Sequence, residues 1–269
     1  MNSDREALTA LFDRELRERA RPDSPGVRVE RTADVVRQVG AGDDWNGVVW
    51  SAPDIDPARV DAVIASQVDH FTALGHTEFE WKLYAHDRPA CLAERLLAGG
   101  FEAQEPETVM VARVADLSAA VELPEGVRLR RVRDADDVEL MARAHERAFG
   151  SDASWLRHRA STLLAGDPDG FVGVLAMAGD EPVSSARMET CPGTAFAGLW
   201  GGGTAPQWRG RGIYRALVAH RARIAAERGF GFLQVDASEQ SRPILRRLGF
   251  LDLSTTTPFV FRARPHRSH

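Results

Sequence analysis

The sequence is poor in cysteine, has no long apolar run and carries no excess of positive charge. Its two cysteines among 269 residues, Cys91 and Cys191, lack metal-ligand spacing and favour reduced thiols over the disulfide framework of a small secreted domain. No apolar run approaches the roughly 20 residues of a membrane-spanning helix. The formal net charge of -5 gives no support for binding to nucleic acid or to an acidic membrane surface. We therefore expect a cytoplasmic protein with neither kind of partner.

The eight histidines show neither of the common zinc-binding spacings, H-x₃-H and H-E-x-x-H. The sequence therefore predicts no metal site. A hydrophobic content of 43% and a charged content of 27% are typical of a globular protein, and the length suffices for one large or two ordinary domains.

The most informative segment is a glycine-rich loop between an apolar strand and an amphipathic helix. The strand is predicted at 196–200, the loop runs from Gln207 to Gly212, and the helix is predicted at 212–228. One face of this helix is predicted to carry Ile213, Ala216, Leu217, His220 and Ile224. A strand that ends in such a turn leaves backbone N–H groups aligned with the positive end of the helix dipole. This arrangement predicts an anion site, best suited to a phosphate or pyrophosphate.

The loop differs from two commoner phosphate loops. A Walker loop would need Lys and then Ser or Thr after its last glycine, where Ile213 and Tyr214 stand. A dinucleotide-binding fingerprint would need a glycine at the position of Arg215.

The C-terminal half alternates strand-like and helix-like segments, which favours an α/β or α+β domain. Strands are predicted at 127–132, 171–178, 182–189, 194–200, 232–235 and 258–262, and helices at 136–149, 154–164, 212–228 and 242–248.

The N-terminal half repeats this order. Its predicted segments are a strand at 47–51, a helix at 57–74, a strand at 78–84, a short helix from Arg88-Pro89 and a closing strand at 109–113. A stretch without sustained period, ending in Pro124 and Gly126, separates the halves. We predict two tandem domains at 1–115 and 127–269, joined by a linker at 116–126.

The two halves differ at the loop. Where the C-terminal half has its glycines and arginines, the N-terminal half has Ala52–Pro57, with no glycine for close approach and no arginine. Asp54 and Asp56 would repel a pyrophosphate. We predict that the N-terminal half does not bind a phosphate-bearing ligand in this way.

Arg209-Gly210-Arg211-Gly212 after a strand, together with Leu248-Gly249-Phe250, resembles the coenzyme A loop of the GNAT-type N-acetyltransferase superfamily. The resemblance covers residues 127–262, and the tandem layout is similar to that of two-domain acetyltransferases. It implies an α/β (α+β) fold of two GNAT-like domains, each a mixed central sheet flanked by helices, with a degenerate N-terminal copy. It also implies that strand 196–204 splays from its parallel neighbour at 232–236 and admits the pantetheine arm of acetyl-CoA.

The resemblance also implies a set of coenzyme contacts, made by backbone amides of the glycine run and loop and by arginine side chains. The expected contact residues are Gly202, Gly203, Thr204, Gln207, Trp208, Arg209, Gly210, Arg211, Gly212, Ile213, Ser238 and Ser241. A helix-capping role is an equal alternative for the two serines, and packing is an alternative for Trp208.

The implied chemistry is direct attack of an amine on the acetyl thioester. The amine must first lose a proton, and Asp236 and Glu189 are the candidate bases, with a surface charge or a cap as the alternative for each. The usual tyrosine acid of the superfamily falls on Leu245. Of the two tyrosines in the chain, Tyr214 is the candidate acid, and a core or coenzyme-stacking role is its alternative.

The sequence thus predicts an acetyl-CoA-dependent N-acetyltransferase that acts on the amine of a small molecule or peptide. The alternatives are a coenzyme A-binding regulatory module without transfer activity, which the missing tyrosine favours, and an acyltransferase that uses a larger acyl group. Monomer and homodimer both remain open.

Overall fold

The computed structural model describes residues 2–42 and 44–263, which fall into two compact units. Over its described residues, unit 1 comprises Met1–Pro22, Gly26–Thr108 and Leu253–His269, and unit 2 comprises Asp23–Pro25 and Val109–Asp252.

The units do not follow chain order. The closing strand predicted for the N-terminal half, 109–113, belongs to unit 2, and the one predicted for the C-terminal half, 258–262, belongs to unit 1. The domain limits 1–115 and 127–269, with a linker at 116–126, stay a prediction.

The secondary structure of the described residues alternates as predicted. The α-helices are α1 (Asn2–Phe12), α2 (Val60–Ala73), α3 (Leu92–Ala98), α4 (Ala135–Phe149), α5 (Ser154–Gly166), α6 (Ile213–Glu227) and α7 (Arg242–Arg247). The strands are β1 (Arg28–Arg31), β2 (Val35–Val39), β3 (Gly47–Ser51), β4 (Glu78–Tyr84), β5 (Phe101–Ala103), β6 (Glu107–Arg113), β7 (Val127–Arg131), β8 (Phe171–Ala178), β9 (Glu181–Thr190), β10 (Phe196–Thr204), β11 (Phe232–Ala237) and β12 (Leu251–Arg262). Among these helices, none has the length and apolar character needed to cross a bilayer.

Unit 1 has a mixed sheet in the order β1-β2-β3-β4-β12, with β5 also paired to β12. Strands β3 and β4 run parallel, and the other pairs are antiparallel. Helices α2 and α3 bury Phe71 and Leu96 in the apolar core of this unit, together with Trp81 of β4.

Unit 2 has a mixed sheet in the order β6-β11-β10-β9-β8-β7. Strands β10 and β11 run parallel, whereas β7, β8, β9 and β10 form antiparallel pairs in sequence. Strand β8 is apolar along nearly its whole length because helices cover both faces of this sheet.

The two faces of the unit 2 sheet carry different apolar clusters. On the α6 face, Leu217 and Ala222 pack with Val172 and Leu199. On the α4 face, residues of α4 and α5, such as Met141 and Leu156, pack with Phe171 and Leu175. Residues one apart on a strand therefore face different helices, as the two-residue period of a strand requires.

The predicted fold class is confirmed, since each unit is a mixed sheet flanked by helices. Strand 171–178 and the hairpin turn at Gly179-Asp180 also occur as predicted. The strand predicted at 194–200 extends through the glycine run to Thr204, and the one predicted at 258–262 begins earlier, at Leu251. Cys91 and Cys191 are both present as thiols.

Candidate active site

Strands β10 and β11 separate after a short parallel contact. They pair from Phe196 with Phe232 to Gly198 with Gln234. Beyond these pairs, β10 runs on to Thr204 and β11 to Ala237. The splay predicted at 196–204 against 232–236 is therefore present, and the backbone groups that face the gap lie outside the parallel ladder.

A β-bulge lies in β10 just past this point. Trp200 stands opposite Arg187 of β9 and Gly203 opposite Ser185, so two glycines of β10 face one residue of β9. Gly201 has a φ of +57°, which a residue with a Cβ rarely adopts. A Cβ placed on Gly202 would lie 2.9 Å from Cε2 of Tyr214, and one on Gly203 2.4 Å from Cε2 of Phe149. The glycine run is thus a bulged strand with close neighbours on both faces.

The loop after β10 ends in an uncapped helix N-terminus. Gly212 has a φ of +83° and precedes α6, which has no side-chain cap there. The first backbone hydrogen bond of the helix runs from the N–H of Ala216 to the carbonyl of Gly212, at 3.0 Å. The amides of Ile213, Tyr214 and Arg215 therefore precede the first amide that donates within the helix, and they lie at the positive end of the helix dipole. This is the backbone geometry on which the predicted anion site depends.

The two arginines of the loop differ in their surroundings. Arg209 donates from Nε to the carbonyl of Thr204 at 3.0 Å and from Nη2 to the carbonyl of Ala148 at 2.8 Å, which ties the loop to the ends of β10 and α4. Arg211 is exposed, with its guanidinium carbon 4.7 Å from the ring centre of Trp208. Arg209 is thus bound to the backbone at two places, whereas Arg211 is exposed to solvent.

The remaining polar residues of the predicted coenzyme site lie at the ends of elements. Thr204 Oγ1 lies 2.9 Å from Ser184 Oγ, which also donates to the carbonyl of Gly203 at 2.6 Å. Gln207 and Gly210 are exposed in the loop. Ser238 and Ser241 follow β11, with their hydroxyl oxygens 3.3 Å apart, and Ser241 precedes α7 without capping it through its side chain.

Glu189 is held tightly on the α4 face. It accepts a hydrogen bond from Arg159 at 2.6 Å and one from Arg187 at 2.7 Å. Burial alone would raise the pKa of the Glu189 carboxyl, but the two guanidinium groups outweigh this effect and hold the pKa below its ordinary value. A carboxylate bound in this way is a weak proton acceptor.

Asp236 lies on β11 beyond the paired part of the strand. Leu233, Val235 and Ala237 enter the core of the α6 face, so Gln234 and Asp236 alternate toward the α4 face. Asp236 and Glu189 are both partly buried, and Glu189 is held by its two arginines. The two candidate bases therefore share a face and a similar degree of burial.

Tyr214 is partly buried in the first turn of α6, beside Gly202. Burial raises the pKa of its hydroxyl above the ordinary value, although the positive charge of Arg221 opposes the rise. Leu245, at the position where the superfamily has its usual tyrosine, is a fully buried core residue. Tyr214 thus stays protonated at neutral pH next to the glycine run.

Sequence reasoning missed Arg221, which is 1% exposed in the middle of α6. It donates to the carbonyls of Leu217 at 3.0 Å and Arg187 at 2.8 Å, and burial lowers its pKa to about 10. The predicted apolar face of the helix placed His220 in the core, but His220 is half-buried and Arg221 takes the inner position. Alanines on several sides of α6 make the helical period ambiguous. The sequence signal at Arg221 is that no acidic residue lies three or four positions from it along the helix.

One family model matches the part of the chain that contains the candidate site. Residues 137–250, which include the bulge, the loop and α6, match the model of the Acetyltransferase (GNAT) family. Comparison with curated proteins found no match.

Solved structures with the same fold span both halves of the chain. A GCN5-related N-acetyltransferase from Kribbella flavida has a TM-score of 0.69 and 21% identity, covering 97% of this chain and 96% of its own. Another from Sphaerobacter thermophilus has a TM-score of 0.63 and 16% identity, with 88% and 82% covered. A tandem GNAT protein from the clavulanic acid biosynthesis pathway has a TM-score of 0.62 and 13% identity, with 90% and 85% covered. Residues 137–250 therefore match the GNAT acetyltransferase family, and the chain as a whole has the fold of these solved structures.

Proposed function

We propose that unit 2 is an acetyl-CoA-dependent N-acetyltransferase. The observation that carries the proposal is the gap between β10 and β11 leading to the uncapped N-terminus of α6, within the segment that matches the acetyltransferase family. The amides of the first turn and Arg211 would bind the pyrophosphate. The bulge at Gly201–Gly203 would hold the pantetheine arm and orient the thioester.

The transfer step needs one proton acceptor and one proton donor. The amine nitrogen forms a bond to the thioester carbonyl carbon, and the carbon–sulfur bond breaks. Asp236 would accept the amine proton, directly or through water, because Glu189 is bound by two arginines. Tyr214 would donate a proton to the departing thiolate, since its hydroxyl stays protonated beside Gly202.

Two measurements test the proposal. Acetyl-CoA should raise the Tm of the full chain, and coenzyme A release should follow when a panel of amines is added. Asp236→Asn should retain the shift in Tm and lose most of the turnover, by about a hundredfold or more for a lost general base. A wild-type chain whose Tm does not respond to acetyl-CoA would refute the proposal.

A coenzyme A-binding module without transfer activity is the second candidate. It is favoured by Leu245, a buried core residue where the superfamily has its acid. Turnover with any amine rejects the module, and faster release from a longer acyl-CoA would identify a larger acyl donor. The proposal includes a cytoplasmic location, which the two thiols favour.

A further inference from the structure

Several buried polar atoms on the α4 face of unit 2 lack a hydrogen-bond partner among the described residues. They are His145 Nδ1, Ser185 Oγ, Arg187 Nη1 and Gln234 Oε1. Buried polar groups without a partner are rare in folded proteins and costly to keep. A group of such atoms on one face of a sheet, next to a strand bulge, indicates a site where a polar ligand supplies the missing hydrogen-bond partners.

Arg187 is the charged member of this group. It is 7% exposed, donates from Nε to Glu189 at 2.7 Å, and lies with its guanidinium carbon 5.2 Å from the ring centre of Trp155. Its Nη1 points at the bulge of β10, because a Cβ placed on Gly201 would lie 2.7 Å from that atom. The unused donor therefore faces the strand segment proposed to orient the thioester.

The two guanidinium groups near Gly201 are paired unequally. One carboxylate, Glu189, is shared by two guanidinium groups, Arg187 at 2.7 Å and Arg159 at 2.6 Å. Asp23 also reaches Arg159, at 3.2 Å, but its side chain is one-third exposed and lies on the outer side of the cluster. Among the described residues, Arg187 therefore has a share in one carboxylate beside Gly201, which favours an anionic group there over an ammonium group.

Aromatic rings continue this surface along β10. The ring centre of His145 lies 4.4 Å from that of Phe149 and 5.6 Å from that of Trp155. Phe149 in turn lies against Gly203. Burial and the charge of Arg187 lower the pKa of His145, so its imidazole is neutral at pH 7 and adds no second positive charge. The surface thus has a cationic end at Gly201 and an uncharged aromatic end at Gly203.

We propose that the acceptor is a small amine that also carries a carboxylate, and that Arg187 binds this carboxylate through Nη1 at the Gly201 bulge. A planar guanidinium whose Nε already donates to Glu189 can present its remaining N–H groups to a second carboxylate. Binding there gives the buried Nη1 donor an acceptor and places a negative charge beside Arg187. The amine is then directed away from Arg187, toward the aromatic end. The inference rests on the proposed N-acetyltransferase function.

Matched acceptor pairs test the inference. Amino acids and their primary amides, for example β-alanine and β-alaninamide, differ in the carboxylate and share the amine. In the wild-type chain we expect kcat/KM for the best acid to exceed that for its amide by about tenfold to a hundredfold, chiefly through KM, as for a lost hydrogen bond to a charged group. Arg187→Gln should remove this preference, and Arg187→Lys should reduce it.

Arg159→Lys is the matched control. Arg159 shares Glu189 with Arg187 but donates to Glu189 and Asp23 rather than facing Gly201. This variant should therefore retain the preference for the acid. The shift in Tm produced by acetyl-CoA checks that each variant is folded, and Arg187→Lys decides the outcome if Arg187→Gln does not fold.

The outcomes separate the inference from the function beneath it. Amides equal to or better than acids, a preference that survives in both Arg187 variants, or no acetylation of any acid while acetyl-CoA still raises the Tm overturns the inference alone. A wild-type chain without an acetyl-CoA shift and without transfer to any amine overturns the proposed function.

Discussion

The two units contain equivalent helix starts that are completed in different ways. In unit 1, the chain leaves β3 and enters a helical turn at Pro57, where Asp56 accepts a hydrogen bond from the N–H of Ala58 at 2.9 Å. In unit 2, the chain leaves β10 and enters α6 at Gly212, which has no side chain to cap the helix. One helix start is capped by a carboxylate, and the other has no side-chain cap.

The gaps between the parallel strands show the same contrast. Strands β3 and β4 pair from Gly47 with Glu80 to Val48 with Trp81. The indole of the fully buried Trp81 then donates to Oγ of Ser51, which lies beyond the last pair, at 3.1 Å. A side chain therefore joins the strands where the backbone ladder stops. In unit 2, the corresponding part of β10 is the run of glycines at 201–203.

Buried arginines extend the contrast. In unit 1, Arg17 is 2% exposed and donates to Val49 O, Asp13 and Asp87, so one arginine has two carboxylates. In unit 2, two arginines share Glu189, and Arg187 keeps a donor without a partner among the described residues. Polar groups that are satisfied internally stabilise a fold, whereas groups left incomplete next to a gap favour binding.

The largest effect should come from Glu189→Gln. Removing this charge leaves two guanidinium groups without their shared carboxylate, and we expect the free energy of unfolding to fall by about 3 kcal/mol in urea titrations. Asp87→Asn in unit 1 should cost less, because Arg17 retains Asp13. Equal losses in the two variants would remove the distinction between the clusters.

Wild type and Glu189→Gln should also differ in how their stability responds to acid. The lowered pKa of Glu189 means that its ion pairs contribute fully above the ordinary carboxyl value of 4.5 and are lost as the pH falls through the lowered value. The stability difference between wild type and Glu189→Gln should therefore shrink as the pH is reduced below 4.5. A constant difference down to the acid transition would show that Glu189 acts by packing alone.

Gly212→Asp should weaken acetyl-CoA binding by about tenfold or more, because it places a carboxylate at the helix start, as Asp56 does in unit 1. Gly212→Asn is the matched control, with the same size, the same tolerance of positive φ and no charge. The dissociation constant measured for both variants isolates the charge. A loss of the same size in the asparagine variant would assign the effect to backbone strain.

The smallest effect should come from Asp56→Ala. Loss of this cap should cost about 1 kcal/mol of stability, as for other helix caps. The affinity for acetyl-CoA should not change, since the cap belongs to unit 1. An affinity for acetyl-CoA that falls in Asp56→Ala would place coenzyme binding in unit 1 and contradict the proposed site in unit 2.

Local patterns in the sequence predict the elements around the site but not the polar groups within it. The loop, the helix after it and β8 follow from glycine spacing and apolar runs, which are local signals. Arg187 and Glu189 lie on a strand that was predicted, but their burial depends on Arg159, which lies on a different helix. The extension of β12 ahead of residue 258 has a similar cause at Thr256 and Thr257, which pair with Tyr84 and Leu83 of β4.

The central claim is that the chain has one working coenzyme site, at the loop before α6. Calorimetric titration of the full chain with acetyl-CoA tests it most directly. The account predicts one molecule bound per chain, with binding weakened by Gly212→Asp and unaffected by Asp56→Ala. Two molecules per chain, or one that remains equally tight in Gly212→Asp, would contradict it.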